Sequence, residues 1–220
     1  MIKFGFVFLL LLGGSALWGM TQTGAGDATR EDSGPARNER LTALDGLLLF
    51  ILLAAIAVTI LDVRRWLGAH FLVGFLLIPP LTLKLGSTAY RLFRYYSGSR
   101  PYRLAGAPPL LLRFVVAPAL VASTLIVFGS GLELWLFGLR FGSEWILWHT
   151  LSAVVMMFAV TAHSVGHLGR SFRIARDEVG AHRGAALSRQ SVVVASLAAG
   201  AVLAIASLTY ASPFSASVGG

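Results

Sequence analysis

The chain has 220 residues, of which 56% are hydrophobic and 13% are charged, and its mean hydropathy is +0.75. These values predict an integral membrane protein rather than a soluble domain. The chain has no cysteine, so disulfides, iron–sulfur clusters, thiolate–metal sites and covalently attached c-type haem are all excluded within it.

Apolar segments follow one another along nearly the whole chain. Each approaches or exceeds the ~20 residues that a membrane-spanning helix needs. They are apolar all round rather than along one stripe, which excludes the amphipathic helices of a soluble core. We therefore predict an all-α integral membrane protein of about six transmembrane helices, a four-helix bundle with one extra helix at each end. The predicted spans cover residues 4–20, 43–63, 67–85, 110–131, 145–166 and 191–211.

The segments also predict the division of the chain. Residues 1–20 are interpreted as an N-terminal transmembrane helix or signal-like segment, since Lys3 precedes the apolar run. Residues 21–42 are small, polar and charged without apolar periodicity, and are interpreted as a flexible linker. Residues 43–212 form the transmembrane bundle, and residues 213–220 form a C-terminal tail.

Positive charge is concentrated in two predicted loops, residues 86–109 and 168–190, within a formal net charge of +8. Both loops fall on the same side of the membrane if the helices alternate, and the positive-inside rule makes that side cytoplasmic. The first helix then runs from outside to inside. Topology and contact with anionic lipid account for this charge, so we predict no nucleic-acid partner.

The histidines are the most informative polar residues in the apolar segments. His149 and His163 are 14 residues apart, almost four helical turns, so they share a helix face about 21 Å apart along the axis. That distance is most of the thickness of a bilayer core. A helix with one ligand near each membrane face is what electron transfer through stacked haems requires, and polar groups at such depth mark functional paths.

Two histidines on different helices are expected at matched depth. His70 lies near the start of the third predicted helix and His149 near the start of the fifth. Both helices run inwards in the predicted topology, so both imidazoles lie near the outer face. Two facing neutral imidazoles can hold a six-coordinate b-type haem. A single intramembrane histidine is more often a hydrogen-bonded packing residue.

A second site is less complete. His163 and His167 form an i, i+4 pair at the inner end of the fifth helix, but no histidine opposes them on the second or third helix. Lys84, water, or His167 in place of His163 are the remaining candidates for ligands. The pair is therefore interpreted as an incompletely ligated second haem site, a polar lining of a quinone pocket, or a zinc-binding pair. His182 lies in a basic polar loop and is expected to be exposed.

The positions of proline and glycine predict further local features of the helices. Pro79 and Pro80 should kink the third helix. Gly129 and Gly131 on the fourth helix, and Gly74 one turn after His70, allow either close helix packing or space for a porphyrin plane.

With these residues in place, about residues 40–170 resemble the cytochrome b subunits of formate dehydrogenases and nickel–iron hydrogenases, within the wider bacterial cytochrome b561-like group. The segment HFLVGFLLIPPLTLKLGSTAYRLFRYYSG also resembles stretches in actinobacterial membrane proteins of this type. The resemblance implies a four-helix bundle with two b haems, in which His70 and His149 match the outer ligand pair and His163 matches an inner ligand. The first core helix, starting near Arg40, lacks the histidine that should face His163, so the resemblance supports one haem.

The predicted function follows from these residues. The sequence contains no catalytic triad, phosphate loop or dinucleotide fingerprint, so we predict an electron-transfer subunit rather than a self-sufficient enzyme. A multi-pass b-type cytochrome of the cell membrane would exchange electrons with a quinone or an oxidoreductase partner subunit. The alternatives are a non-redox scaffold or accessory subunit, and a metal-handling membrane protein that uses His163 and His167.

Overall fold

The computed structural model describes residues 2–21, 33–106, 110–180 and 184–218. The secondary structure of these residues is helical, without strands, which confirms the predicted all-α fold. A π-helical turn, Leu112–Val116, leads directly into the fifth helix. The helices are α1 Ile2–Thr21, α2 Gly34–Leu61, α3 Leu67–Tyr96, the short α4 Arg100–Leu104, α5 Ala117–Phe137, α6 Glu144–Gly180, α7 Gly184–Ser207 and the short α8 Pro213–Val218.

Within the described ranges, five helical segments are long and apolar enough to cross a membrane. The protein is therefore a multi-pass, all-α membrane protein. The first predicted span corresponds to α1, in which the apolar stretch Gly5–Gly14 is shorter than a full span. The five spanning segments are Gly34–Leu61, Leu67–Tyr96, Leu112–Phe137, Glu144–Val165 and Gly184–Ser207.

The start of α2 differs from the sequence prediction. Residues 34–42, expected in the flexible linker, form the first turns of this helix instead. The hydroxyl of Ser33 accepts a hydrogen bond from the N–H of Ala36 and Pro35 lies in the first turn, so local capping starts the helix. Residues 168–180, expected in a loop, likewise continue α6.

Helix α2 lies at the centre of the bundle, where it packs against α1, α3, α6 and α7. Helix α5 packs on α6, and α7 packs on α3. Among the described residues, α3 has no extensive backbone approach to α5 or α6. Large side chains bridge this wider space instead, as in the ring contact of Phe75 with Trp135, whose centroids are 4.8 Å apart.

The contacts of α1 show its direction relative to α2. Gly5 lies beside Leu61 at the end of α2, and Phe8 and Leu12 are buried in one cluster with Ala57 and Met157. Helix α1 therefore runs antiparallel to α2, the relative direction that the charge distribution predicts. Met157 of α6 packs in the same buried cluster.

Helix α3 continues across Pro79 and Pro80. Because proline has no N–H, the carbonyl of Leu76 receives no intrahelical hydrogen bond from Pro80. Gly200 of α7 lies against that carbonyl so closely that a Cβ at position 200 would overlap it. The small residue allows α7 to cover the backbone group that proline leaves unpaired.

Ion pairs join the end of the bundle at which α3 and α6 finish, here called the basic end. Glu178 of α6 is 2% exposed and pairs with Arg40 of α2 at 3.4 Å and with Arg189 of α7. Arg170 pairs with Glu39 at 2.9 Å. These contacts join the start of α2 and the start of α7 to the end of α6, so both basic segments of the chain lie at this end.

Candidate functional site

Two imidazoles meet at the end of the bundle opposite the basic end. His70 lies in the first turn of α3 and His149 lies near the start of α6, and both are partly buried. Their ring centroids are 6.2 Å apart and the ring planes are nearly perpendicular, at 78°. The structure therefore brings together the two histidines that the sequence places at matched depth.

The hydrogen bonds of Thr59 assign the tautomer of His70. The Thr59 hydroxyl donates to the carbonyl of Ile56 across 2.6 Å, so its oxygen is left to accept at the 2.8 Å contact with Nδ1 of His70. Nδ1 consequently carries the hydrogen, and Nε2 carries the free lone pair. A neutral imidazole in this tautomer can bind a metal through Nε2.

His149 is held in the same tautomer by a different helix. Its Nδ1 lies 2.9 Å from the backbone carbonyl of Val127 on α5, and a carbonyl can only accept. The hydroxyl of Ser130, 3.3 Å from the same nitrogen, donates to the carbonyl of Ile126 and so also presents its oxygen. Nδ1 of His149 therefore donates, and its Nε2 lone pair is free.

Glycine makes room for the second ring. A Cβ at Gly131 would lie 3.0 Å from Cε1 and 3.2 Å from Nδ1 of His149, tighter than ordinary van der Waals contact. Because Gly131 has no side chain, the imidazole of His149 can pack directly against α5. A Cβ at Gly129 or Gly74 would meet nothing within 4 Å, so these two glycines border open space.

The dimensions of the histidine pair suit a six-coordinate haem. Iron–imidazole bonds of about 2 Å, with ~1 Å from each nitrogen to its ring centre, place two axial rings about 6 Å apart. The observed separation is 6.2 Å. Fixed Nδ1–H hydrogen bonds are also the outer-shell contacts that orient metal-binding histidines. The separation of the two rings is therefore the one that a pair of axial imidazoles would have, and a b-type haem is a group that these residues could hold.

The inner pair is arranged differently. The rings of His163 and His167 lie on one helix with centroids 5.2 Å apart, and Nδ1 of His163 is buried without a hydrogen bond. Lys84 of α3 is near enough to act electrostatically on both rings. Within the described ranges, no group of three or more His, Asp or Glu side chains could hold a metal ion. His182 lies outside the described residues.

Sequence reasoning missed the residues that hydrogen-bond the two imidazoles, namely Thr59, Val127 and Ser130, and it missed Asp45. Thr59 fixes the ring of His70. It is a polar residue in an otherwise apolar run of α2, and this isolated polar position could have identified it from the sequence. Asp45 is the acidic residue inside the same apolar run. It is fully buried, and both of its carboxylate oxygens are without a hydrogen-bond partner.

These features define a multi-pass helical membrane protein with a pair of preoriented histidines in its bundle. No protein-family model matches the chain, and no curated protein or solved structure is detectably similar to it.

Proposed function

We propose that the protein is a b-type cytochrome of the cell membrane that binds one haem b between His70 and His149. The observation that carries this proposal is the pair of imidazoles 6.2 Å apart, each held as the Nδ1–H tautomer by a neighbouring helix. A packing role would not need both Nε2 lone pairs to be kept free. The haem, when bound, supplies a reversible one-electron redox centre.

The chain's own residues would tune and protect that centre. Thr59 and the Val127 carbonyl orient the rings and, as hydrogen-bond acceptors, make the imidazoles more basic ligands. The surrounding helices are apolar and would lower the local dielectric around a bound haem. Such a centre would pass electrons between an oxidoreductase partner subunit and a quinone or another acceptor at the membrane.

One haem per chain is proposed. His163 has a ring neighbour on its own helix, and no histidine of α2 or α3 supplies a second axial ligand for it. The second haem suggested by the resemblance therefore has no support in the side chains described. The inner histidines belong to a separate polar cluster.

Optical spectroscopy of the purified protein tests the proposal. We expect a Soret band and, after reduction, the narrow alpha band of a low-spin haem, with about one haem per chain. His70→Ala and His149→Ala should each abolish or convert this spectrum. His163→Ala is the matched control, a histidine of the same bundle, and should leave both the spectrum and the haem content unchanged.

Three other results would favour a different assignment. A colourless protein after expression with sufficient haem would contradict the cytochrome proposal and favour a non-redox scaffold or accessory subunit. Stoichiometric zinc that is lost in His163→Ala would instead identify a metal-handling protein. Two haems per chain, with half lost in His163→Ala, would overturn the one-haem assignment.

A further inference from the structure

Asp45 is a buried acid without a partner. It lies about 16 Å from the start of α2, taking a helical rise of about 1.5 Å per residue. Its side chain is 0% exposed, and neither carboxylate oxygen accepts a hydrogen bond. An ionised carboxylate in such a place loses its hydration and gains no hydrogen bond in return, whereas the protonated acid does not carry that charge. The burial therefore favours a bound proton on Asp45.

Lys84 is the charged side chain that acts on Asp45. Its amine donates to the backbone carbonyl of Thr42, one helical turn before Asp45, rather than to the carboxylate. This approach depends on Gly46, where a Cβ would lie 3.0 Å from Nζ of Lys84. The lysine thus reaches into α2 beside the acid without neutralising it as an ion pair.

The two inner histidines continue this cluster towards the surface. The positive charge of Lys84 also acts electrostatically on His163. Nδ1 of His163 is buried without a hydrogen bond, and its ring contacts the ring of His167. His167 is exposed. Partial desolvation of the ring and the positive charge of Arg170 lower the pKa of His167, so the ring is neutral near neutral pH.

Arg91 of α3 and Glu39 of α2 also act electrostatically on His167. Several charged groups at the basic end pair with one another. Arg40 and Arg189 pair with Glu178, and Arg170 pairs with Glu39. Around Asp45, α7 and α6 contribute apolar side chains to the neighbouring cluster, which includes Val193, Ile174 and Ala175. Helix α1 contributes no titratable residue between Gly5 and Thr21.

We propose that Asp45 is an intramembrane proton-binding site that exchanges with the basic surface through Lys84, His163 and His167. The ammonium group of Lys84 donates a proton to a carboxylate oxygen of Asp45 and becomes a neutral amine. That amine is reprotonated by His163 once His163 has received a proton from His167, which takes its proton from water. Release follows the reverse order, and each step moves one proton without transferring an electron. The site does not require the haem of the proposed function.

Infrared spectroscopy of the purified full-length protein in lipid nanodiscs tests the binding site. Glu133 is a second acid whose carboxylate oxygens are buried without a hydrogen-bond partner, so every sample carries Glu133→Gln. At neutral pH we expect the carbonyl stretch of a protonated carboxylic acid, shifted to lower frequency in D₂O. Asp45→Asn should remove this band, and Asp45→Glu should restore it at a changed frequency, which distinguishes loss of the acid from misfolding. Asp62→Asn, an exposed acid at the other end of α2, should leave it unchanged. Absence of the band, or its persistence in Asp45→Asn, overturns the proposal.

The exchange path has its own measurement. After rapid transfer from H₂O to D₂O, the shift of the Asp45 band should be at least about tenfold slower in His163→Leu, because the intermediate proton acceptor is lost. Ser164→Ala, the next residue on the same helix, should exchange at the wild-type rate. Equal rates in His163→Leu and the wild type would contradict the path. None of these readouts depends on haem content, so the two proposals can fail separately.

Discussion

The hydroxyl oxygen of Thr59 accepts a hydrogen bond from Nδ1 of His70 across 2.8 Å, and the same hydroxyl donates a hydrogen bond to the carbonyl of Ile56. One side chain of α2 thus decides which nitrogen of an α3 imidazole is free. This relationship links the packing of two helices to the chemistry at the candidate haem site.

The first prediction concerns this hydrogen bond. Thr59→Val keeps the side-chain shape but removes the acceptor, so the ring of His70 loses its fixed orientation and tautomer. Changes of this kind cost about 10- to 100-fold in metal affinity. We expect a corresponding rise in the dissociation constant of haem, measured by titrating apoprotein with haemin. Thr161→Val, a mid-helix threonine of α6 that bonds only the Met157 carbonyl in its own helix, is the control. Equal affinities in the two variants would remove Thr59 from the site.

The second prediction concerns the space for His149. Gly131→Val places a branched side chain where a Cβ alone would already be 3.0 Å from Cε1 of the imidazole. The ring must leave its position, and its hydrogen bond to Val127 with it. We expect the low-spin spectrum to be lost or converted to a high-spin form. Gly86→Val, at a helical glycine with nothing within 4 Å of its Cβ position, should keep the low-spin spectrum. Normal spectra in both variants would contradict the role given to Gly131.

The third prediction concerns the basic end. Glu178→Ala leaves the guanidinium groups of Arg40 and Arg189 facing each other without their shared carboxylate. Removing one partner of a buried ion pair costs about 3 kcal/mol or more. The free energy of unfolding, measured in mixed micelles with added denaturing detergent, should fall by that amount. Asp177→Asn removes an acid whose side chain is 76% exposed and should change stability by less than about 0.5 kcal/mol. A similar small change in Glu178→Ala would show that the network does not stabilise the fold.

The fourth prediction concerns orientation in the membrane. The positive-inside rule places the basic end in the cytoplasm. The chain lacks cysteine, so single cysteines can report accessibility without a background. In intact cells, an impermeant thiol reagent should label Ser143→Cys, in the α5–α6 connection, but not Ser97→Cys or Ser188→Cys. The reverse pattern would invert the topology and move the His70–His149 pair to the cytoplasmic half.

The sequence alone was sufficient for the fold class and for much of the helix layout. Apolar runs of ~20 residues must form helices in a bilayer, because every backbone polar group there needs an internal partner. The predicted spans from residue 43 onwards correspond to spanning helices of the structure. Residues 34–42 were misassigned because capping by Ser33 and pairing of Arg40 with Glu178 stabilise a helix that composition alone makes polar and loop-like.

The sequence predicted only part of the candidate site. Helix direction and residue spacing place His70 and His149 at one depth, but depth does not determine which faces meet. Their separation of 6.2 Å depends on how α3 and α6 pack around α2. The haem that we propose between them stays a prediction until the spectra are measured.

What only the tertiary structure decided is the partner of each polar group. The bond between Thr59 and His70 joins adjacent helices, whereas that between His149 and the Val127 carbonyl depends on the rotation of α5 against α6. In the same way, Lys84 comes close to Asp45 although 39 positions separate them, and the acid stays without a hydrogen bond. Hydropathy determines that a segment enters the membrane, because transfer of apolar surface depends on composition. The rotation of each helix about its axis depends on side-chain packing between segments distant in sequence, which no single segment encodes.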